Sequence, residues 1–141
     1  MQPAQVRENR HNDALGRERT QRSPPPILIS WSQTMRIAAT GDLPYYAVIF
    51  TSLRTEGDHG YGQMAEAMVE AASRQPGFLG VESAREELGI TVSYWSSLEA
   101  IAAWKRDLDH QMAQRLGREQ WYQAYKTRIC KVERDYAFSR D

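Results

Sequence analysis

From Pro44 to Arg134 the apolar residues switch between the alternation of a strand and the three-and-four spacing of a helix, and the order of the switches limits the possible folds. Tyr45-Tyr46-Ala47-Val48-Ile49-Phe50 is β-branched and aromatic with apolar residues on both alternating sets, which predicts a strand covered on both faces. Turn formers follow from Thr55 to Gly60. Tyr61, Met64, Ala65, Met68, Val69 and Ala72 then mark one stripe of an amphipathic helix lying on a sheet. Pro76-Gly77 closes that helix, and a second strand is predicted from Phe78 to about Arg85. Glu86-Glu87-Leu88-Gly89 reads as a turn and Ile90–Trp95 as a third strand, which makes a hairpin. Ser96 and Glu99 stand at capping-box spacing, placing Ser96 at the N-cap of a second helix that carries Leu98, Ile101, Trp104, Leu108 and Met112. Gly117 is expected to end it. A short helical turn through Trp121 and Tyr122 and a last strand from about Lys126 to Arg134 complete the prediction.

The order β, α, β, β, α, β predicts an α+β, ferredoxin-like domain with an antiparallel sheet, strands one and three at its centre. The helices cover one sheet face. A single copy leaves the other face in water, and an apolar area of that kind marks an interface. Packing two such faces together gains roughly 25 cal/mol per Å², so a homodimer is expected.

Composition divides the chain near the same proline. Five of the six prolines lie within the first 44 residues, and residues 1–43 carry six Arg, no Lys and four acids without apolar periodicity. Pro24-Pro25-Pro26 favours an extended polyproline segment. Residues 1–43 are therefore expected to be a disordered N-terminal extension, with 44–141 the folded domain. Ile27–Trp31 is a candidate strand or docking peptide too short for a core, and Met35 a candidate alternative start. Lys plus Arg balance Asp plus Glu at 18 each, leaving no global field to hold a polyanion and no expectation of a nucleic-acid partner. No apolar run approaches the ~20 residues of a bilayer span, so no membrane association is expected. One cysteine, Cys130, cannot form an internal disulfide, which fits a reducing, cytoplasmic setting.

Two stretches carry a family resemblance: Pro76-Gly77-Phe78-Leu79-Gly80-Val81-Glu82, and Ile90-Thr91-Val92-Ser93-Tyr94-Trp95-Ser96-Ser97-Leu98-Glu99-Ala100, with Trp104 and His110 beyond. Through them most of residues 44–138 resembles the antibiotic biosynthesis monooxygenase family, small domains that form dimeric α+β barrels. The resemblance implies a cofactor-independent monooxygenase with molecular oxygen as co-substrate, acting on a small, flat, electron-rich aromatic or quinol-like compound. Such chemistry needs a base to help form the substrate anion, an apolar aromatic cavity, and donors that stabilise charge on oxygen. A non-catalytic binder of small hydrophobic molecules would use the same cavity. The family's haem-degrading branch pairs a helical Trp and His with an Asn on the first strand. Here Asn9 and Asn12 lie upstream of the domain and strand one reads Ile49-Phe50-Thr51-Ser52, which disfavours haem.

On this reading His110 and Trp104 are the candidate catalytic residues, and Phe50, Tyr94, Trp95 and Trp121 the candidate substrate-binding ones. An imidazole suits a general base or proton shuttle near neutrality, yet on a straight helix His110 lies about 120° from Trp104, off the apolar arc. Tyr94 and Trp95 are adjacent on a strand and point to opposite faces, one to the helices and one to the expected dimer interface. Trp121, Tyr122 and Tyr125 suit a lid or a partner anchor. Asp58 and His59 lack further ligands at metal spacing, so no metal site is expected. Gly57, Gly60 and Gly62 match no phosphate loop, Met64 and Met68 are core filler, Cys130 has no matched base, and Ser52, Ser93 and Ser97 show no triad context.

Overall fold

The computed structural model describes the backbone of residues 36–114 and 120–140 and the side chains of 36–109 and 120–140. The elements run β1 (Tyr45–Arg54), α1 (Tyr61–Ser73), β2 (Phe78–Arg85), β3 (Leu88–Trp95), α2 (Leu98–Gln114) and β4 (Tyr122–Val132). All pairings are antiparallel and the sheet order is β2-β3-β1-β4, so strands one and three are central as the element order predicts. None of the described helices is long and apolar enough to cross a membrane.

Four boundaries differ from expectation. β1 runs past Phe50 to Arg54, and β4 begins at Tyr122 rather than Lys126, because Tyr122, Ala124 and Tyr125 pair with Arg54, Leu53 and Ser52 across an irregular register. Leu88 and Gly89 belong to β3, pairing with Leu53 and Ser52, which leaves the hairpin a shorter turn. The N-cap of α2 is Ser97, not Ser96: the Ala100 N–H donates to Ser97 Oγ at 3.1 Å, while the Ser96 N–H donates to the Gly77 carbonyl at 2.8 Å. Gly77 makes that contact possible, since it has φ +85° and a Cβ there would lie 2.7 Å from Ala100 Cβ and Ser96 Oγ. The expectations for Pro24–Pro26, Ile27–Trp31, Met35 and Gly117 fall outside the described residues.

Residues opposite one another in an antiparallel pair share a face. Tyr46, Val48, Phe50 and Ser52 of β1 therefore lie with Trp95, Ser93, Thr91 and Gly89 of β3 on the helix side, and Ala47, Ile49, Thr51 and Leu53 with Tyr94, Val92, Ile90 and Leu88 on the far side. Helix-side residues build the core. Ala72, Trp95 and Ile101 pack with Tyr46, Val48, Phe78 and Trp104 at one end, and Met64 and Trp121 with Tyr61, Met68, Leu108 and Tyr122 at the other. On the far side Leu53, Leu88 and Ile90 are exposed. Residues ahead of β1 also touch the sheet: the Ala38 N–H donates to Glu82 Oε2 at 2.9 Å, and the Ala38 methyl sits where a side chain at Gly80 would be.

Candidate functional site

The structure distributes the sequence-derived site residues among separate surroundings. Trp95 is fully buried, stacked on Trp104 with centroids 6.1 Å apart and met edge-on by Phe78 at 5.4 Å. Those rings fill the space between β3 and α2 at that end. Tyr94 points to the far face, where its hydroxyl donates to Glu82 Oε1 at 2.5 Å and its ring meets Tyr45 edge-on. Burial and the Glu82 carboxylate push the Tyr94 phenol up. Burial likewise raises Tyr45, whose hydroxyl donates to Asp135 Oδ2 at 2.7 Å. Trp121 is buried against Met64, and its indole N–H donates to the His59 carbonyl at 2.9 Å. His110 lies within α2, and its side chain is outside the described residues.

Phe50 belongs to a different group, formed where β1, β2, α1 and β4 meet. Its ring lies 5.4 Å from both Tyr122 and Tyr125, and Tyr122 stands perpendicular to Tyr61 at 5.7 Å. The Arg54 guanidinium covers Tyr61 at 3.5 Å and that of Arg85 is 5.9 Å from the same ring. Arg54 Nε donates to the Trp121 carbonyl at 2.9 Å, and its Nη2 donates to the Gly57 and Asp58 carbonyls at 3.3 Å. Arg85 donates through Nη2 to Oγ of buried Ser52 and through Nη1 to the Ser52 carbonyl at 3.4 Å. Asp58 fixes the start of α1, accepting from the Gly60 N–H at 3.0 Å and the Gly62 N–H at 3.2 Å. Beside the group a cleft of about 440 Å³ is lined by Leu53, Arg54, Arg85, Glu86, Glu87 and Gln123.

Burial pushes the Tyr122 phenol up, and the Tyr61 hydroxyl bonded to it adds to the rise, while Arg85 and Arg54 pull the other way. The phenol is neutral at physiological pH and retains a proton to donate. Rings that hold a flat molecule, neutral phenols and two cations are groups suited to a ligand on which negative charge resides or develops. Sequence reasoning passed over Arg54, Arg85 and Tyr61 because they end strands or start a helix, with four elements needed to bring them together. Gly89, whose bare backbone lets Arg85 approach, gave no signal because it reads as a turn residue in sequence and becomes a strand glycine only through its pairing with Ser52. No cluster of three or more metal-ligating side chains occurs among the described residues.

A four-stranded antiparallel sheet covered on one side by two helices defines the class as ferredoxin-like α+β. The antibiotic biosynthesis monooxygenase family profile matches residues 44–116. The chain belongs to that family. It is 50% identical over 107 residues to the protein YqjZ of Bacillus subtilis (strain 168), covering 74% of this chain and 94% of that one. Among solved structures it resembles a variant of SnoaB, a cofactor-independent oxygenase from Streptomyces nogalater, with a TM-score of 0.52, 13% identity, and 62% of this chain and 92% of that chain covered. It also resembles an MhuD variant with two manganese protoporphyrin IX bound per active site, with a TM-score of 0.51, 22% identity, and coverages of 66% and 99%. At these identities the structural likeness is one of fold.

Proposed function

We propose that this chain is a cofactor-independent monooxygenase acting on a small electron-rich aromatic or quinol-like compound held on the helix side of the sheet. Family membership supports the reaction class, and the observation that carries the location is the contiguous wall of Phe50, Tyr61, Tyr122 and Tyr125 beside an open cleft. In this reading Phe50 and Trp121 bound the ligand, Trp95 and Trp104 hold the scaffold at the other end of the same layer, and His110 on α2 serves as the acid or base. The substrate anion supplies the electrons. A ring C–H and a phenol O–H give up their hydrogens, the ring carbon becomes a carbonyl with one atom of dioxygen to leave a quinone, and the other atom leaves as water carrying both hydrogens. Neutral Tyr122 suits donation to an oxygen that gains charge.

Haem has no part in the reading. β1 offers Phe50, Thr51 and Ser52 where the haem branch uses Asn, and Phe78, Trp95 and Trp104 fill the layer between sheet and α2 at the end where those rings meet. The reading includes a homodimer, in which a second copy covers exposed Leu53, Leu88 and Ile90 on the far face and Tyr94 lies on the interface side. A cytoplasmic setting belongs to it as well, because Cys130 has no second cysteine to bridge.

An oxygen electrode with a panel of hydroquinones and hydroxynaphthalenes tests the reaction. Oxygen uptake that falls about a hundredfold in His110→Ala is expected, within the range for loss of a general acid or base. Saturable binding of the same compounds without oxygen uptake would replace the enzyme with a binder. Sedimentation at micromolar concentration should give a dimer, and a monomer removes the interface.

A further inference from the structure

We propose that Arg54 and Arg85 form an oxyanion subsite that takes the carboxylate of a planar aromatic acid, and that Gly89 is the residue that positions Arg85 for it. The inference deepens the functional reading by naming a substrate class and rests on it for the side of the sheet used.

Both guanidiniums approach the ring of Tyr61, and among the described residues neither has a carboxylate partner. Their bonds run to neutral acceptors: the carbonyls of Trp121, Gly57 and Asp58 for Arg54, and the carbonyl and hydroxyl of Ser52 for Arg85. Arg54 Nη1 and Arg85 Nε keep N–H groups that these bonds leave unused. Two like charges held near one ring repel, and contact with a ring face offsets only part of the cost. A bound anion would remove the repulsion. Glu86 and Glu87 line the same cleft yet pair with neither guanidinium, and both are exposed to screening solvent.

Gly89 shows how Arg85 gets there. Arg85, Gly89 and Ser52 stand in one cross-strand row on the helix side. A Cβ on Gly89 would overlap Arg85 Cζ and Nη2, so the guanidinium lies directly over the Gly89 backbone on its way from β2 to Ser52 on β1. Any other residue at 89 lifts it off this path.

The planar fork of a guanidinium matches a carboxylate, which remains ionised at neutral pH. Phe50 and Tyr122 extend the aromatic cluster from Tyr61 to half-exposed Tyr125, the ring of the group most accessible to a flat body. The cleft volume of about 440 Å³ is in the range of small-molecule sites.

Isothermal titration of the full chain with benzoate, 2-naphthoate and anthracene-2-carboxylate, each against its neutral amide, is the test. At least one carboxylate should bind about tenfold tighter than its amide, and that preference should shrink as NaCl rises from about 0.05 to 0.5 M. Arg85→Gln should abolish the preference, Arg85→Lys restore part of it, and Gly89→Ala reduce it several-fold with circular dichroism unchanged. Equal affinity for acid and amide across the panel, absence of binding by all three acids at about 5 mM, or a preference that survives Arg85→Gln overturns the subsite. A carboxylate preference in a protein that takes up no oxygen with any hydroquinone keeps the subsite and removes the oxygenase. Oxygen uptake without a carboxylate preference does the reverse.

Discussion

The two ends of the layer between sheet and helices come from the same strands and differ in what they bury. At the Trp95 end, Phe78, Trp95 and Trp104 pack ring against ring, with Tyr46 and Val48 beneath them. At the Ser52 end, arginines, tyrosines and a buried hydroxyl replace that packing, and a cleft opens beside them. The contrast follows from where the helices lie. The α2 segment Ala100–Trp104 covers the first end, while the second is reached by α1 through Tyr61, Met64 and Met68, by Leu108 of α2 and by Trp121 and Tyr122 at the start of β4. Stability should therefore concentrate at the first end and ligand selectivity at the second.

Replacing a fully buried tryptophan tests that division most strongly. Trp95→Ala should cost about 3 to 5 kcal/mol in urea denaturation, from lost burial plus the cavity left behind. A loss under about 1 kcal/mol would mean that the stacked pair is not the core. Phe50→Ala, at the other end and only half-buried, should cost about 1 to 2 kcal/mol while weakening aromatic ligands measurably. Arg85→Gln removes an exposed side chain and should change stability by about 0.5 kcal/mol or less; a larger loss would make Arg85 a structural strut.

Titration sharpens the same contrast. Tyr122 and Tyr94 both have phenol pKa values raised above the ordinary 10. A group raised in the folded state contributes stability that is fully present below its unfolded pKa and is lost as pH climbs through the folded value. Wild-type protein should therefore lose stability from about pH 10 upward, and Tyr122→Phe and Tyr94→Phe should each flatten that fall in denaturant titrations at about pH 9 and pH 11. An unchanged slope in both variants would place the two phenols in water.

Much of the scaffold was legible because apolar period reports which face of each element is covered. The α1 stripe from Tyr61 to Ala72 and the opposite orientations of Tyr94 and Trp95 are matched by the observed packing. Strand ends were harder. Arg54, Leu88 and Gly89 look like loop residues in sequence, and they are strand residues because neighbouring strands supply hydrogen-bond partners. The cap at Ser97 was misplaced by one residue for a related reason. Ser96 and Ser97 are equivalent as local acceptors, and the choice was made by the Gly77 carbonyl, which holds the Ser96 N–H.

Local chemistry alone thus determined the element order, the two-layer arrangement and the amphipathic stripes, since burial energy scales with apolar surface and its period is written along the chain. Only tertiary structure decided that Arg54, Tyr61, Arg85 and Tyr122 share one neighbourhood and that Gly89 is bare so that Arg85 can cross the sheet. Such convergence depends on contacts between residues far apart in sequence, and no pattern of spacing within one element carries that information.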